Sequence, residues 1–433
     1  MRGSLSAFLT THRRFAAMIG RDTFLASPDP KGTVQTYMQH EPHRGSPIRR
    51  PERGAKGFTT MESSGVLGSK TDIVRAQVER AIAEFRASRP VLVTAPGRAV
   101  LAFGVDGIEV AAASAAADLA TVTSHLLLPA ARLRRLGLER TAPGRVALPT
   151  IDADRIEHLA LTIDAGIDAP VSPVDELDEA ALELARLALV VPAVVMVPVL
   201  AARFEGSPVL SVEAEALFAF RRLEAQGIRI VGRAPVPLEG APDTEFVVFR
   251  GGEGLRDQVA IIVGKPDLGR TVPVRLHSAC LTGDLFGSLK CDCGDQLRDT
   301  VEWMASNGGG ILLYLDQEGR GNGIANKMRA YRLQSMGWDT YDADEVLGFD
   351  LDQRRFDFAA TMLKQLGVTS IDVMTNNPVK IAAMSEAGID VRSERRVIGR
   401  ATDHNVRYLA SKRDRAGHAI DADALIASLR AGE

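Results

Sequence analysis

Residues 275–296 read Arg-Leu-His-Ser-Ala-Cys-Leu-Thr-Gly-Asp-Leu-Phe-Gly-Ser-Leu-Lys-Cys-Asp-Cys-Gly-Asp-Gln. Every cysteine of the 433-residue chain lies here: Cys280, Cys291 and Cys293. Cys291 and Cys293 flank a single residue and precede Gly294, so a tight turn can aim both sulfurs at one point, with Cys280 returning from a neighbouring loop. Thiolates so placed suit Zn²⁺, and three protein ligands leave the fourth tetrahedral position open for water. A closed structural site would want a fourth ligand, and no fourth cysteine exists. The competing reading is three inert core thiols, because free cysteine is commonly buried.

Around this stretch the composition is that of a globular protein. Apolar residues make up 45% and charged residues 25%, and the net charge of −3 gives no reason to expect nucleic acid. The length allows two or three domains. So few cysteines argue against a disulfide framework and for a reducing compartment, hence the cytoplasm. No uninterrupted apolar run reaches the length of a membrane span.

Residues 1–70 are rich in Arg, Gly, Pro, Ser and Thr and read as a disordered basic tail, with one short helix possible over residues 8–19. A start at Met61 is an alternative. Residues 71–231 read as an α/β or α+β domain. Val74, Val78, Ala81, Ile82 and Phe85 mark a helix that stops at Pro90. Strands are expected at 91–94, 108–113, 159–163 and 193–199, and helices at 129–136 and 177–189. Ser211 is expected to cap a helix ended by Gly227. Residues 232–244, with three prolines and two glycines, read as a linker. Residues 245–418 form a second mixed α/β domain, with strands at 245–250, 258–263, 272–277, 310–315 and 371–374 and helices at 295–307, 323–336 and 355–366. Residues 419–433 are a tail.

Four further stretches of this second domain suit a nucleotide. Gln317-Glu318-Gly319-Arg320-Gly321-Asn322-Gly323 lies between a strand and a helix, where glycines let backbone N–H groups approach phosphate and Arg320 adds charge; a plain turn is the alternative. In Thr375-Asn376-Asn377-Pro378-Val379-Lys380, Asn377 is a good N-cap. Lys380 then sits in a first helical turn that disfavours cations, unless an anion is bound or the side chain points into solvent. Lys327 and Tyr331 are four apart and share a helix face. Asp352-Gln353-Arg354-Arg355 sets a carboxylate before two arginines.

Arg-x-His-Ser-x-Cys-Leu-Thr-Gly-Asp, Cys-Asp-Cys-Gly, Gln-Glu-Gly-Arg, Asn-Lys-x-Arg-Ala-Tyr, Leu-Gly-Phe and Thr-Asn-Asn-Pro occur here in the order seen in GTP cyclohydrolase II, which the region 246–418 resembles. The resemblance implies the enzyme that opens riboflavin biosynthesis by converting GTP to a diaminopyrimidinone ribosylamino phosphate, formate and pyrophosphate. It implies Zn²⁺ on Cys280, Cys291 and Cys293, and Mg²⁺ with the triphosphate. It makes Arg354 the nucleophile on the α-phosphate, Asp352 the proton acceptor and Tyr331 a helper of ring opening. It places nucleotide contacts at Arg275, Leu276, His277, Ser278, Ala279, Gln296, Glu318, Gly319, Arg320, Thr340, Thr375 and Lys380. A homodimer is implied as well.

The chain departs from the family pattern at Ala279, usually Glu, at Asn322, usually aliphatic, and at Asp316. A paralogue acting on another nucleotide, as in uracil catabolism, is therefore a second reading. A non-catalytic zinc-stabilised nucleotide sensor is a third, opposed by the presence of Tyr331, Asp352 and Arg354, which binding alone would not need. Residues 78–93 and 161–165 look like parts of 3,4-dihydroxy-2-butanone-4-phosphate synthase. That enzyme's acidic Mg²⁺ cluster has no counterpart in Ala95 to Gly104, so the resemblance is to a degenerate copy.

Overall fold

A computed structural model describes residues 69–252, 256–350, 352–400, 402 and 405–417. The tail and short helix expected before residue 69, and the tail after 418, lie outside the described residues. No described helix is long and apolar enough to cross a membrane.

The described residues form two seven-stranded sheets with helices against them, in the mixed α/β class expected. The amino-terminal half begins with α1 (Lys70–Arg86), started by a Ser69–Asp72 capping box. Its buried stripe of Val78, Ala81, Ile82 and Phe85 is the one the spacing predicts. Strand β1 (Val91–Ala95) turns through Pro96 and Gly97, at φ +71°, into antiparallel β2 (Arg98–Gly104). After Arg98, β2 is buried throughout, so the stretch compared with an acidic metal loop is a central apolar strand.

Several expected elements are different in the structure. Residues 108–113, read as a strand, start α2 (Val110–Ala117), because an alanine run favours helix over the β preference of Ile108 and Val110. Residues 159–163, also read as a strand, fall at the end of α4 (Ala153–Leu161). The overlooked signal was Asp152, whose side chain caps that helix by accepting from Arg155 N. Between these helices lie β3 (Ser124–Leu128), α3 (Ala130–Arg135) and β4 (Gly144–Leu148). The half continues through β5 (Val171–Ser172), α5 (Glu176–Leu187) and the buried β6 (Val194–Val199). Ser211 caps no helix: it lies in β7 (Leu210–Glu213), and α6 runs over Ala214–Gly227. The first sheet has the order β5-β4-β3-β6-β2-β1-β7.

The expected linker is also partly strand. β8 (Arg229–Pro235) pairs antiparallel with β9 (Thr244–Arg250), so only 236–243 connect elements. Pro235 is tolerated because β8 is an edge strand. The second sheet, β14-β13-β11-β12-β10-β9-β8, adds β10 (Asp257–Val263), β11 (Val272–Ser278), β12 (Gly310–Leu315), β13 (Ser370–Met374) and β14 (Asp390–Arg395). Strands β11 to β14 pair in parallel. The chain passes from β11 to β12 on one side and later to β13 on the other, making β11 a switch point whose carboxyl end opens a crevice. The helices here are α7 (Cys293–Ser306), α8 (Ile324–Ser335), α9 (Thr340–Val346), α10 (Asp357–Gln365), α11 (Pro378–Glu386) and α12 (Val406–Ala416).

Candidate active site

The carboxyl ends of β11, β12 and β13 lead directly into the three stretches the sequence singles out, so one cleft gathers them. It is lined by every site residue named above except Leu276. The Leu276 side chain is fully buried in the core, and what it contributes is its carbonyl, which accepts from Lys380 Nζ at 2.6 Å.

The three cysteines converge, with sulfurs all within 4.8 Å of one another and Cys280 and Cys291 3.6 Å apart. Gly283 packs against them. A Cβ there would sit 2.7 Å from Cys291 Sγ and 3.0 Å from Cys280 Sγ, so the loop leaves space that a methyl group would fill. Hydrogen bonds from the other two thiols and the charge of Lys327 favour thiolate at Cys280, while hydrogen bonding to Cys280 pushes Cys291 up to about 11. One thiolate thus opposes the next, and a divalent cation relieves that conflict. The residues fit zinc.

The loop is held from outside. Glu318 accepts from Leu281 N at 2.6 Å and from Lys327 Nζ at 2.7 Å, and Lys327 Nζ also lies 3.1 Å from Cys280 Sγ. Asp284 accepts from Cys280 N at 2.9 Å and from the Tyr314 hydroxyl at 3.0 Å, and its Oδ1 lies 3.0 Å from His277 Nε2. Burial holds His277 below its usual range. Tyr331 lies between two ammonium groups, Lys290 at 4.9 Å and Lys327 at 5.5 Å from its ring centre. Burial pushes its hydroxyl up to about 12, so it stays protonated at neutral pH.

Across the cleft, Arg354 forms a two-pronged pair with Asp352, Nε to Oδ1 at 2.9 Å and Nη2 to Oδ2 at 2.6 Å. Burial raises the Asp352 carboxyl, but the adjacent guanidinium outweighs it and holds the group below the usual carboxylate range. Arg354 Nη1 also reaches Ser278 Oγ at 3.4 Å. Deeper in, Arg275 donates to Gln296 Oε1 at 2.5 Å and to Met374 O at 3.2 Å. Asn377 caps α11 as expected, accepting from Val379 N at 2.9 Å, and Lys380 is buried rather than solvated.

Arg320, expected to contact the nucleotide, lines the cleft. It is a non-glycine residue at φ +60°, and its guanidinium pairs with Asp344 at 2.9 Å and covers the Tyr341 ring at 4.1 Å. Burial pushes Asp344 up to about 6 even with Arg320 beside it. Asp344 and Tyr341 were not foreseen, because α9 was not. Its signal was Asp339, an N-cap that accepts from Tyr341 N at 2.7 Å and Asp342 N at 2.8 Å.

Residues 227–396 match the family model described as GTP cyclohydrolase II. A GTP cyclohydrolase-2 of Xylella fastidiosa is 46% identical over 80% of this chain and 88% of its own. One from Azospirillum brasilense is 39% identical over 79% of this chain and 93% of its own. Among solved structures, a two-domain 3,4-dihydroxy-2-butanone 4-phosphate synthase from A. baumannii aligns over 74% of this chain and 99% of that chain. The two share 15% identity, with a TM-score of 0.30.

Proposed function

This chain is an enzyme of the GTP cyclohydrolase II family, and we propose that it hydrolyses GTP to a diaminopyrimidinone ribosylamino phosphate, formate and pyrophosphate, the opening step of riboflavin biosynthesis. One observation carries the reading: the cysteine triad, Tyr331 and the Asp352–Arg354 pair line the same cleft. Binding would need only some of these groups, whereas two hydrolytic reactions on one nucleotide use them all.

Zinc held by Cys280, Cys291 and Cys293 would activate water near neutral pH. Mg²⁺ would accompany the triphosphate as its counter-charge. Around the metal site, the protonated Tyr331 donates a hydrogen bond toward the ring being opened, and Lys327 offsets the thiolate charge. At the phosphate end, Arg354 attacks the α-phosphorus through a guanidinium nitrogen. Asp352 accepts the proton that nitrogen loses, the bond to the β-phosphate breaks, and pyrophosphate leaves. Water then cleaves the nitrogen–phosphorus bond and frees Arg354. The paired geometry supports this, since Asp352 already accepts from Arg354 N–H groups. A cytoplasmic homodimer belongs to the same reading.

Ala279 favours a second reading. It lines the cleft with a methyl group where the family pattern carries a carboxylate, which would suit a nucleotide with a differently substituted base. The test is to incubate purified protein with GTP, and separately with other nucleotides, and identify products by mass spectrometry. Tyr331→Phe should lower formate release by about 10²-fold or more, as a lost acid–base or orienting group does, while pyrophosphate release survives. Arg354→Ala should suppress pyrophosphate release. Equal loss of both products in the Tyr331 variant would refute the division of labour, and turnover of another nucleotide alone would select the second reading.

A further inference from the structure

Helices α8 and α9 form one wall of the cleft, and each has two polar faces. From α8, Lys327 and Tyr331 face the cleft. Its Arg329 instead reaches across to the amino-terminal half and grips Asp106 with both nitrogens, at 2.6 and 2.9 Å. One turn earlier, Asn326 donates to Leu189 O at 3.0 Å. Leu189, at φ +58°, is the left-handed residue that closes α5, with Val190 N donating to Ala185 O at 3.2 Å.

The same division recurs on α9. Tyr341 and Asp344 line the cleft and hold Arg320, while Glu345 takes Arg134 at 2.7 Å and Arg135 at 3.2 Å. At the helix end, Val346 O accepts from Arg132 at 3.1 Å. Arg132 is 1% exposed and spends its other hydrogen bonds on the carbonyls of His158, Leu159 and Thr162. A cation buried this deeply among carbonyls is costly to move, so it fixes the height of α9 against the first sheet.

We propose that the amino-terminal half is a buttress for the cleft wall, with Asp106 and Arg132 as positioning residues acting through α8 and α9. The proposal rests on the reaction assigned above. Tyr331 lies two residues after Arg329 on a short helix, so a rotation released at Arg329 displaces the Tyr331 hydroxyl. Arg354 lies in the loop before α10 rather than on α8, so a rotation released at Arg329 spares it.

The experiment uses the full chain carrying Asp106→Asn, the charge swap Asp106→Arg with Arg329→Asp, and Arg132→Met. Kinetics of formate and pyrophosphate release are measured beside hydrogen–deuterium exchange over residues 324–346 and thermal unfolding. Asp106→Asn should lower kcat for formate release by about 10–100-fold, the cost of a misplacement near 1 Å, with KM for GTP and pyrophosphate release little changed. Exchange over 324–335 should quicken, and the swap should slow it again and recover formate release. Arg132→Met should quicken exchange over 340–346. Wild-type kcat and exchange in Asp106→Asn would overturn the buttress, as would parallel loss of both products. Wild-type protein that leaves GTP intact would refute the assigned reaction, while the exchange data would still decide the coupling.

Discussion

In the amino-terminal half, His125 Nε2 lies 2.9 Å from Asp178 Oδ1, and Arg145 Nε lies 2.7 Å from the other oxygen of the same carboxylate. Arg98 and Arg145 both reach Asp175. His125 and Asp178 are buried, Arg145 and Asp175 partly exposed and Arg98 exposed, and these groups close on one another. In the carboxy-terminal half, buried polar groups of the same kinds ring an open cleft at the ends of parallel strands. Arg275, His277 and Lys380 are as inaccessible as His125, yet each lines a space a ligand can enter. Charge satisfied internally holds an arrangement of elements together; charge arranged around a void is available to a substrate. The antiparallel β1–β2 hairpin ends in a tight turn, whereas each parallel strand of the second sheet needs a crossover whose loops can carry chemistry.

The largest expected effect is at the cysteines. Cys291→Ser and Gly283→Ala should each take bound zinc from about one per chain to near none, by removing a ligand or filling the space between the sulfurs. Formate release should fall by roughly 10³-fold or more, since a Lewis acid contributes several kcal/mol to such a barrier. Metal analysis and product assay check this together, and a zinc-free Gly283→Ala enzyme with normal turnover would break the contrast between the halves.

Next comes Asp178→Asn, which leaves Arg145 with Asp175 alone and takes the carboxylate away from the buried His125 ring. Leaving a buried polar group without its partner costs about 1–3 kcal/mol, readable in denaturant unfolding. Formate release per folded chain should stay within about twofold, because the site is remote from the cleft. A large loss of turnover with unchanged stability would show that this network, too, belongs to the chemistry.

The smallest effect sharpens the picture around the metal site. Lys327→Met should weaken zinc binding by about 10–100-fold in chelator competition, the usual cost of losing an outer partner of a ligand. Unchanged affinity would mean that Lys327 serves the nucleotide rather than the thiolates.

The order of motifs, the three cysteines and the Asp352–Arg354 pair were legible as residues because chemistry of this kind requires particular side chains, and spacing along a chain preserves them. Strands of the second sheet were legible for a similar reason: β9 to β13 alternate or run apolar between clear turn residues. What sequence could not decide was which face a polar residue would take. Nothing in the local pattern of Arg320 or Arg354 tells that the first pairs with the distant Asp344 and the second with its near neighbour Asp352. Helix α2 was hidden because β-branched residues at its start point one way and the alanines after them another. The seat of Arg132 is likewise set by carbonyls that come together only on folding, from α4, the residue after it and the end of α9. Local residue types determined the available chemistry. Tertiary packing decided where each charge points, because a buried charge follows the partners that the folded structure brings within a few ångströms.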